Sequence, residues 1–448
     1  MRRFLVAVST AAAFCLMAGG GPAAAATQNG GARQTVTSTD LPDTVSPNGG
    51  RGHAAPHLDG SCTQVSAAVR ATLRTAATQC VTVRTPQATQ DDAKVNTLAT
   101  ELAAEDPEDY DPGADDPLPG DPPSEACSII KGEYQWTRTG GLCGSAEVEY
   151  NLYDGNGKLV GTGLMDVSTT LHTQWDSTDL TEDINVAVTK VTGEVTALNI
   201  KFRTDCTNSC LATQRTPWYG NTALGEGQSK SGTVSYSGAV PAGQTRTSFQ
   251  TQYQMYVTTA GATPVDPSAS WSPPADAVIR CDTEMPTTSG CVIPFAADED
   301  APILEYSLSN PNHGQASAAY ELGLRMRGSN LFHGENEDVG NQNRSKTCGN
   351  FTNLYPDIPG ADSCDEFPFA RTMEGGTDGA LCAEITPTEV NGQWTTPPTD
   401  PNKPVTNQPC IRSHMTLFAN KSAGSIFANF KKYNRIIRGD SFWMAIVP

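Results

Sequence analysis

Asp365 and Glu366 sit side by side in SCDEFPFARTMEGG, with Glu374 and the Gly375–Gly376 pair close behind and Glu384 on the next apolar stretch. Adjacent carboxylates of this kind suit a hard divalent cation. Magnesium keeps several waters and needs only one or two protein oxygens. Chemistry on a phosphodiester calls for such a cation, an oriented water or base, and donors for the developing charge. On a strand, Asp365 and Glu366 would point to opposite faces, one free to bind metal and the other to hydrogen-bond elsewhere. Pro368 would confine that strand to an edge or end it. Positive charge gathers nearby: from Ile411 onward, Arg412, Lys421, Lys431, Lys432, Arg435 and Arg438 oppose the single acid Asp440. With Arg371, six residues after Asp365, the set Arg412, Lys421, Lys431 and Lys432 forms the group expected to face phosphate.

The elements that must position these residues change character along the chain. MRRFLVAVSTAAAFCLMAGGGPAAAA reads as a secretory signal peptide over 1–26, with two arginines, a short apolar run and an Ala-rich end. No later run is apolar enough for a membrane anchor, so a secreted, extracellular protein without membrane association is expected. Thirteen cysteines become twelve once Cys15 leaves with the leader, and an even number in an exported chain implies disulfides. Sequence neighbours suggest Cys62–Cys80, Cys127–Cys143, Cys206–Cys210 and Cys281–Cys291, with two more bridges among Cys348, Cys364, Cys382 and Cys410.

A formal net charge of −19 opposes nucleic acid at long range unless positive charge is concentrated locally. Much of the acid is itself local: residues 105–125 hold nine acidic side chains and no basic one, which reads as a linker. Residues 27–125 as a whole read as a disordered or weakly helical N-terminal region, with VSAAVRATLRTAA and AKVNTLATELAAE as its helical stretches. Between 126 and 297 the period changes to two. AEVEYNLYDGNGKLVGTGLMDVSTT reads as a hairpin about Asp-Gly-Asn-Gly, and further short strands suggest an all-β antiparallel, sandwich-like domain. His172 in it reads as a strand residue, and Trp136, Trp175 and Trp218 as packing residues, with a carbohydrate groove as the rival reading. Residues 298–448 mix strands with a helix over SAGSIFANFKKYNRII that Ser422 would cap, making the whole α+β.

SCDEFPFARTMEGG, ALCAEITP, NKSAGSIFANF and the closing YNRIIRGDSFWMAIV, taken in order, resemble the NucA/NucB-type bacterial extracellular deoxyribonucleases over roughly residues 340–448, about a quarter of the chain. The resemblance implies a small ββα-metal, HNH-like nuclease that cuts DNA with Mg2+ or Mn2+. It puts Asp365 in the place of the catalytic aspartate, Glu366 beside it, and Asn420 as the asparagine that orients the catalytic strand. A helix residue near Asn429 would complete the metal set with Asp365 and Glu384. HNH-type enzymes commonly use histidine as base, which makes His414 a candidate; His333 reads as a loop residue. Ser363-Cys364 replaces the Asp-Arg that some members carry before Asp-Glu, and the segment between Pro387 and Cys410 is a longer insertion. DNA is the expected partner, with cell-surface or glycan contact through the β domain. Two rivals are a secreted carbohydrate-binding protein without catalysis and a delivered nuclease toxin.

Overall fold

Alternating burial is what the period-two segments deliver. The computed structural model describes residues 34–37, 57–65, 67, 76–84, 127–220, 222–259, 267–295 and 301–448. The stretches read as leader and acidic linker lie outside the described residues, as do AKVNTLATELAAE and most of VSAAVRATLRTAA. Strands Gly141–Asp154 and Leu159–His172 pair antiparallel around the Asp-Gly-Asn-Gly turn. Asp154 Oδ1 accepts from the backbone N–H groups of Asn156 and Lys158, and Gly157 takes a φ of 78° that a side chain would resist. Along Leu159–His172, Met165, Val167, Thr169 and Leu171 face inward, and the residues between them are less buried.

Thirteen strands join in one antiparallel sheet. It curls until its ends approach, where the Thr204 N–H donates to Arg215 O at 2.7 Å. Two stacked sheets were the sandwich-like expectation for 126–297, and its antiparallel character is present in this single curled sheet. A separate three-stranded sheet (Arg246–Phe249, Ile279–Asp282, Gly290–Val292) completes the β-rich region. Period-two patterning says which side chains turn inward; it does not say whether strands share a sheet.

A correction concerns the N-terminal residues. His57–Gln64 and Ala76–Arg84, from the stretch read as disordered or weakly helical, are strands of the large sheet. Cys62 lies opposite Cys80 in their pairing and is bridged to it. Pairing with Ser268–Ser272 on one side and Gly141–Asp154 on the other outweighs the local pattern. The Cys127–Cys143, Cys206–Cys210 and Cys281–Cys291 bridges form between neighbours as well. Trp136 and Trp218 are buried in the core.

Glu182 is fully buried in that core and accepts from the hydroxyls of Tyr236 and Tyr253, each at 2.6 Å. Burial raises its pKa from 4.5 to about 7, although both tyrosines favour the ionised form. A raised folded pKa means the carboxyl's contribution is fully present below about pH 4.5 and lost as pH climbs through 7. The loss amounts to roughly 3 kcal/mol. Glu182→Gln, which carries no charge at any pH, is therefore expected to flatten the fall in melting temperature between pH 5 and pH 8. An unchanged fall in that variant would contradict the assignment.

The C-terminal region has its own apolar core. Helices α1 (Gly314–Arg327), α2 (Glu337–Cys348) and α3 (Leu417–Tyr433) surround two small sheets. In one, Ser441–Val447 runs between Ile303–Ser307 and Leu331–His333; in the other, Ile411–Met415 runs between Ser363–Phe367 and Ala383–Ile385. Phe369 is the hub of the core, stacked on Phe427 at 4.6 Å and edge-on to Tyr320 at 4.9 Å. Helix α3 starts earlier than the Ser422 cap expected from sequence, because Thr416 Oγ1 accepts from the Ala419 N–H at 3.2 Å.

Candidate active site

Strand Ser363–Phe367 is an edge strand that stops at the cis Phe367–Pro368 bond. Its alternation sends Asp365 and Glu366 to opposite faces, yet both reach one cavity of about 260 Å³ between α1, α2 and α3. Asp365 is 4% exposed, and its Oδ2 is buried without a hydrogen-bond partner. Burial first, then the neighbouring Glu366 charge, lifts its pKa from 3.8 to about 7, with the nearby Tyr320 side chain opposing the shift. Glu366 is equally buried and is raised by desolvation, while Arg344 of α2 opposes the shift. Arg344 Nε and Nη2 lie 3.0 and 2.9 Å from Glu366 Oε1.

The third wall is α3. Asn420 Nδ2 donates to Ser363 Oγ at 2.7 Å and to Cys364 O at 2.8 Å. The helix thereby grips the strand one residue before Asp365. Asn420 sits in the first turns of α3 and not in a loop ahead of it. Ala423 and Phe427 continue the lining, and Tyr306, whose hydroxyl donates to Ala423 O at 2.8 Å, closes the floor. Arg371 stands at the rim, ion-paired with Glu337.

Asp365, Glu366, Asn420 and Arg371 are thus brought together, and the other residues singled out from sequence are not. His414 is 2% exposed on the face away from Asp365; Nδ1 lies 2.9 Å from Asp362 Oδ2 and Nε2 3.0 Å from Glu384 Oε1, under the ring of Phe351. Glu384 is held there by His414 and by Arg412 at 3.2 Å, so neither Glu384 nor Arg412 lines the cavity. Asn429 falls nine residues after Asn420, half a turn off its face, and is outside the lining. Lys421 is exposed and outside it too. Lys431 is buried, donates to Glu335 O at 2.6 Å and Arg371 O at 3.3 Å, and burial together with the Arg371 charge lowers its pKa to about 8. Its ammonium staples two backbone segments. Lys432 lies over the Trp175 ring at 4.6 Å. His333 pairs with Glu374 at 2.7 Å, and His172 stands 3.4 Å from Asp183.

A buried carboxylate pair, an asparagine tying the helix to its strand and two arginines around one cavity can be set against known proteins. Residues 319–395 match the family model of deoxyribonuclease NucA/NucB. No curated protein and no solved structure matches the chain. The NucA/NucB match takes in Tyr320, Arg344, Asp365, Glu366 and Arg371, and it stops short of α3 and Asn420.

Within the NucA/NucB segment, Arg344, Asn341 and Tyr320 line the cavity and escaped the sequence reading. One signal could have found Arg344. It lies four residues before Cys348, and a Cys348–Cys364 bridge would set it beside Asp365 and Glu366. That bridge forms, with Cys382–Cys410 as the sixth.

Among the described residues no group of three or more His, Cys, Asp or Glu could hold a metal ion. The cavity offers instead the oxygen donors of two carboxylates, with Asn341 and Asn420 also in its lining. Hard cations such as Mg2+ and Mn2+ fit that set, completed by water, and the partnerless Asp365 Oδ2 is the acceptor such an ion would satisfy.

Proposed function

We propose that the chain is a secreted, metal-dependent endonuclease that hydrolyses DNA phosphodiester bonds in the cavity around Asp365. The observation carrying the reading is the buried, partnerless Asp365 oxygen in a cavity rimmed by Arg344 and Arg371, inside the segment that matches NucA/NucB. Residues 298–448 are taken as the small ββα-metal unit and 126–297 as the β-rich domain.

Asp365, with Glu366, would hold a Mg2+ or Mn2+ ion, which when bound neutralises phosphate charge and lowers the pKa of coordinated water. Glu366 is kept in place by Arg344. Asn420 orients the Asp365 strand through Ser363 and Cys364. Arg371 and the exposed part of Arg344 supply the planar donors that suit phosphate oxygens. His414 has no part as base in this reading, because carboxylates engage both ring nitrogens. Export is supported by the leader-like composition of residues 1–26 and by six disulfides, which persist in oxidising compartments. Trp136 and Trp218 are buried and Trp175 packs on Tyr433, so these tryptophans give no support to a carbohydrate groove.

Purified full-length protein is expected to degrade plasmid DNA with Mg2+ or Mn2+, to stop when chelator is in excess, and to resume when the cation is restored. Cleavage that ignores chelator, or none with any divalent cation, would overturn the proposal.

A further inference from the structure

Arg435 follows the C-terminal end of α3 and is 0% exposed, among the largest fully buried side chains. Its partners belong to the β-rich region. Nε donates to Asp282 Oδ2 at 3.2 Å, Nη2 donates to Asp282 Oδ1 and, at 2.8 Å, to Asp282 O, and Nη1 donates to Trp175 O. The exchange is reciprocal. Arg138 donates to Asn434 O at 2.6 Å, to Arg435 O at 3.1 Å and to Asp440, while Arg280 donates to Asp440 Oδ1 at 2.7 Å and to Arg435 O at 2.8 Å. Beside this network the Tyr433 ring stands edge-on to Trp175 at 5.0 Å.

Two details show how closely the regions are fitted. A Cβ on Gly290 would fall 2.0 Å from Trp175 O and 2.8 Å from Arg435 Nη1, so only glycine permits that approach. Arg435 holds a φ of 46°, left-handed for a residue with a side chain, and its contacts offset that cost. Charges buried this deeply are tolerated only while paired, and losing one partner strands the other. Of the groups gripped, Asn434 and Arg435 directly follow the last turn of α3 and Asp440 precedes the strand Ser441–Val447; earlier turns of α3 carry Asn420, Ala423 and Phe427.

We infer that the β-rich region is an intramolecular positioning partner of the catalytic cavity: through the Asp282–Arg435 pair and the Trp175 ring against Tyr433 and Lys432 it fixes the far end of α3, so that Asn420 and Phe427 hold their places beside Asp365. Asp282 and Arg435 are positioning residues here, and the inference deepens the nuclease reading of the cavity on which its kinetic part rests.

The test compares full-length wild type with Asp282→Asn and with Trp175→Ala, the second leaving the buried Arg435–Asp282 pair intact. Amide hydrogen exchange over residues 420–427 is expected to quicken about tenfold or more, while the strand Leu159–His172 stays protected. On plasmid, kcat is expected to fall roughly 10- to 100-fold with KM within about twofold. Should Asp282→Asn fail to fold, Trp175→Ala decides by the same readings. Exchange at 420–427 equal to wild type in a folded variant, or quickening confined to residues 434–440, would overturn the inference. Exchange needs no DNA, so a protein that cleaves nothing would sink the nuclease reading and leave this test standing.

Discussion

Asp365→Ala is expected to lower plasmid cleavage by roughly 10³-fold or more, because it removes the acceptor around which charge stabilisation at the phosphate is arranged. Folding should survive the change. The carboxyl is 4% exposed with one oxygen unpartnered, and its pKa of about 7 marks it as a group that burial disfavours in its ionised form. Its loss relieves that burden at neutral pH and above. Asp365→Asn, nearly the same shape without the charge, should be equally inactive and melt no lower than wild type at neutral pH and above. Activity within tenfold of wild type in either folded variant would remove Asp365 from the chemistry.

Arg344→Ala is expected to have the next largest effect, and on two quantities together. Glu366 is 3% exposed and Arg344 is the cation that opposes its desolvation. Without Arg344 a buried carboxylate stands alone, which costs about 2–4 kcal/mol, toward the lower end here because the arginine side chain is 57% exposed. Thermal unfolding should show that loss. Cleavage should drop by about 10²-fold, since the rim also loses a planar donor toward phosphate. Arg344→Lys should recover part of the stability and little of the rate, because a point charge cannot reproduce the two-nitrogen contact. A variant with full rate and a lowered melting temperature would make Arg344 a structural residue alone.

What the sequence disclosed follows the range of the forces involved. Local signals were readable: alternation and turn residues marked the long hairpin, Pro368 marked the end of the Asp365 strand, and Ile426, Phe427 and Phe430 marked α3. The Asp365–Glu366 pair stood out as adjacent carboxylates beside aromatics, and Asn420 was singled out only through the resemblance to the NucA/NucB family; both line the cavity. Long-range pairing was not. His57–Gln64 and Ala76–Arg84 pair with each other and are received into the sheet by partners more than sixty residues away in sequence, Ser268–Ser272 and Gly141–Asp154. Arg344 lies in a polar helix, EDVGNQNRSKTC, whose pattern gives no hint of a buried partner. His414 was a candidate because HNH-type enzymes commonly use histidine as base, whereas Asp362 and Glu384 close on it from other segments. Lys431 and Lys432 read as residues that would face phosphate, yet the Glu335 loop and Trp175 occupy them.

A crystal of the full-length protein soaked in Mn2+ and measured at the manganese edge tests the central claim most directly. An anomalous peak on Asp365 Oδ2, lost in Asp365→Asn, is the result expected. A peak settled instead at Glu384 and His414, with the Asp365 cavity bare at saturating Mn2+, would contradict it.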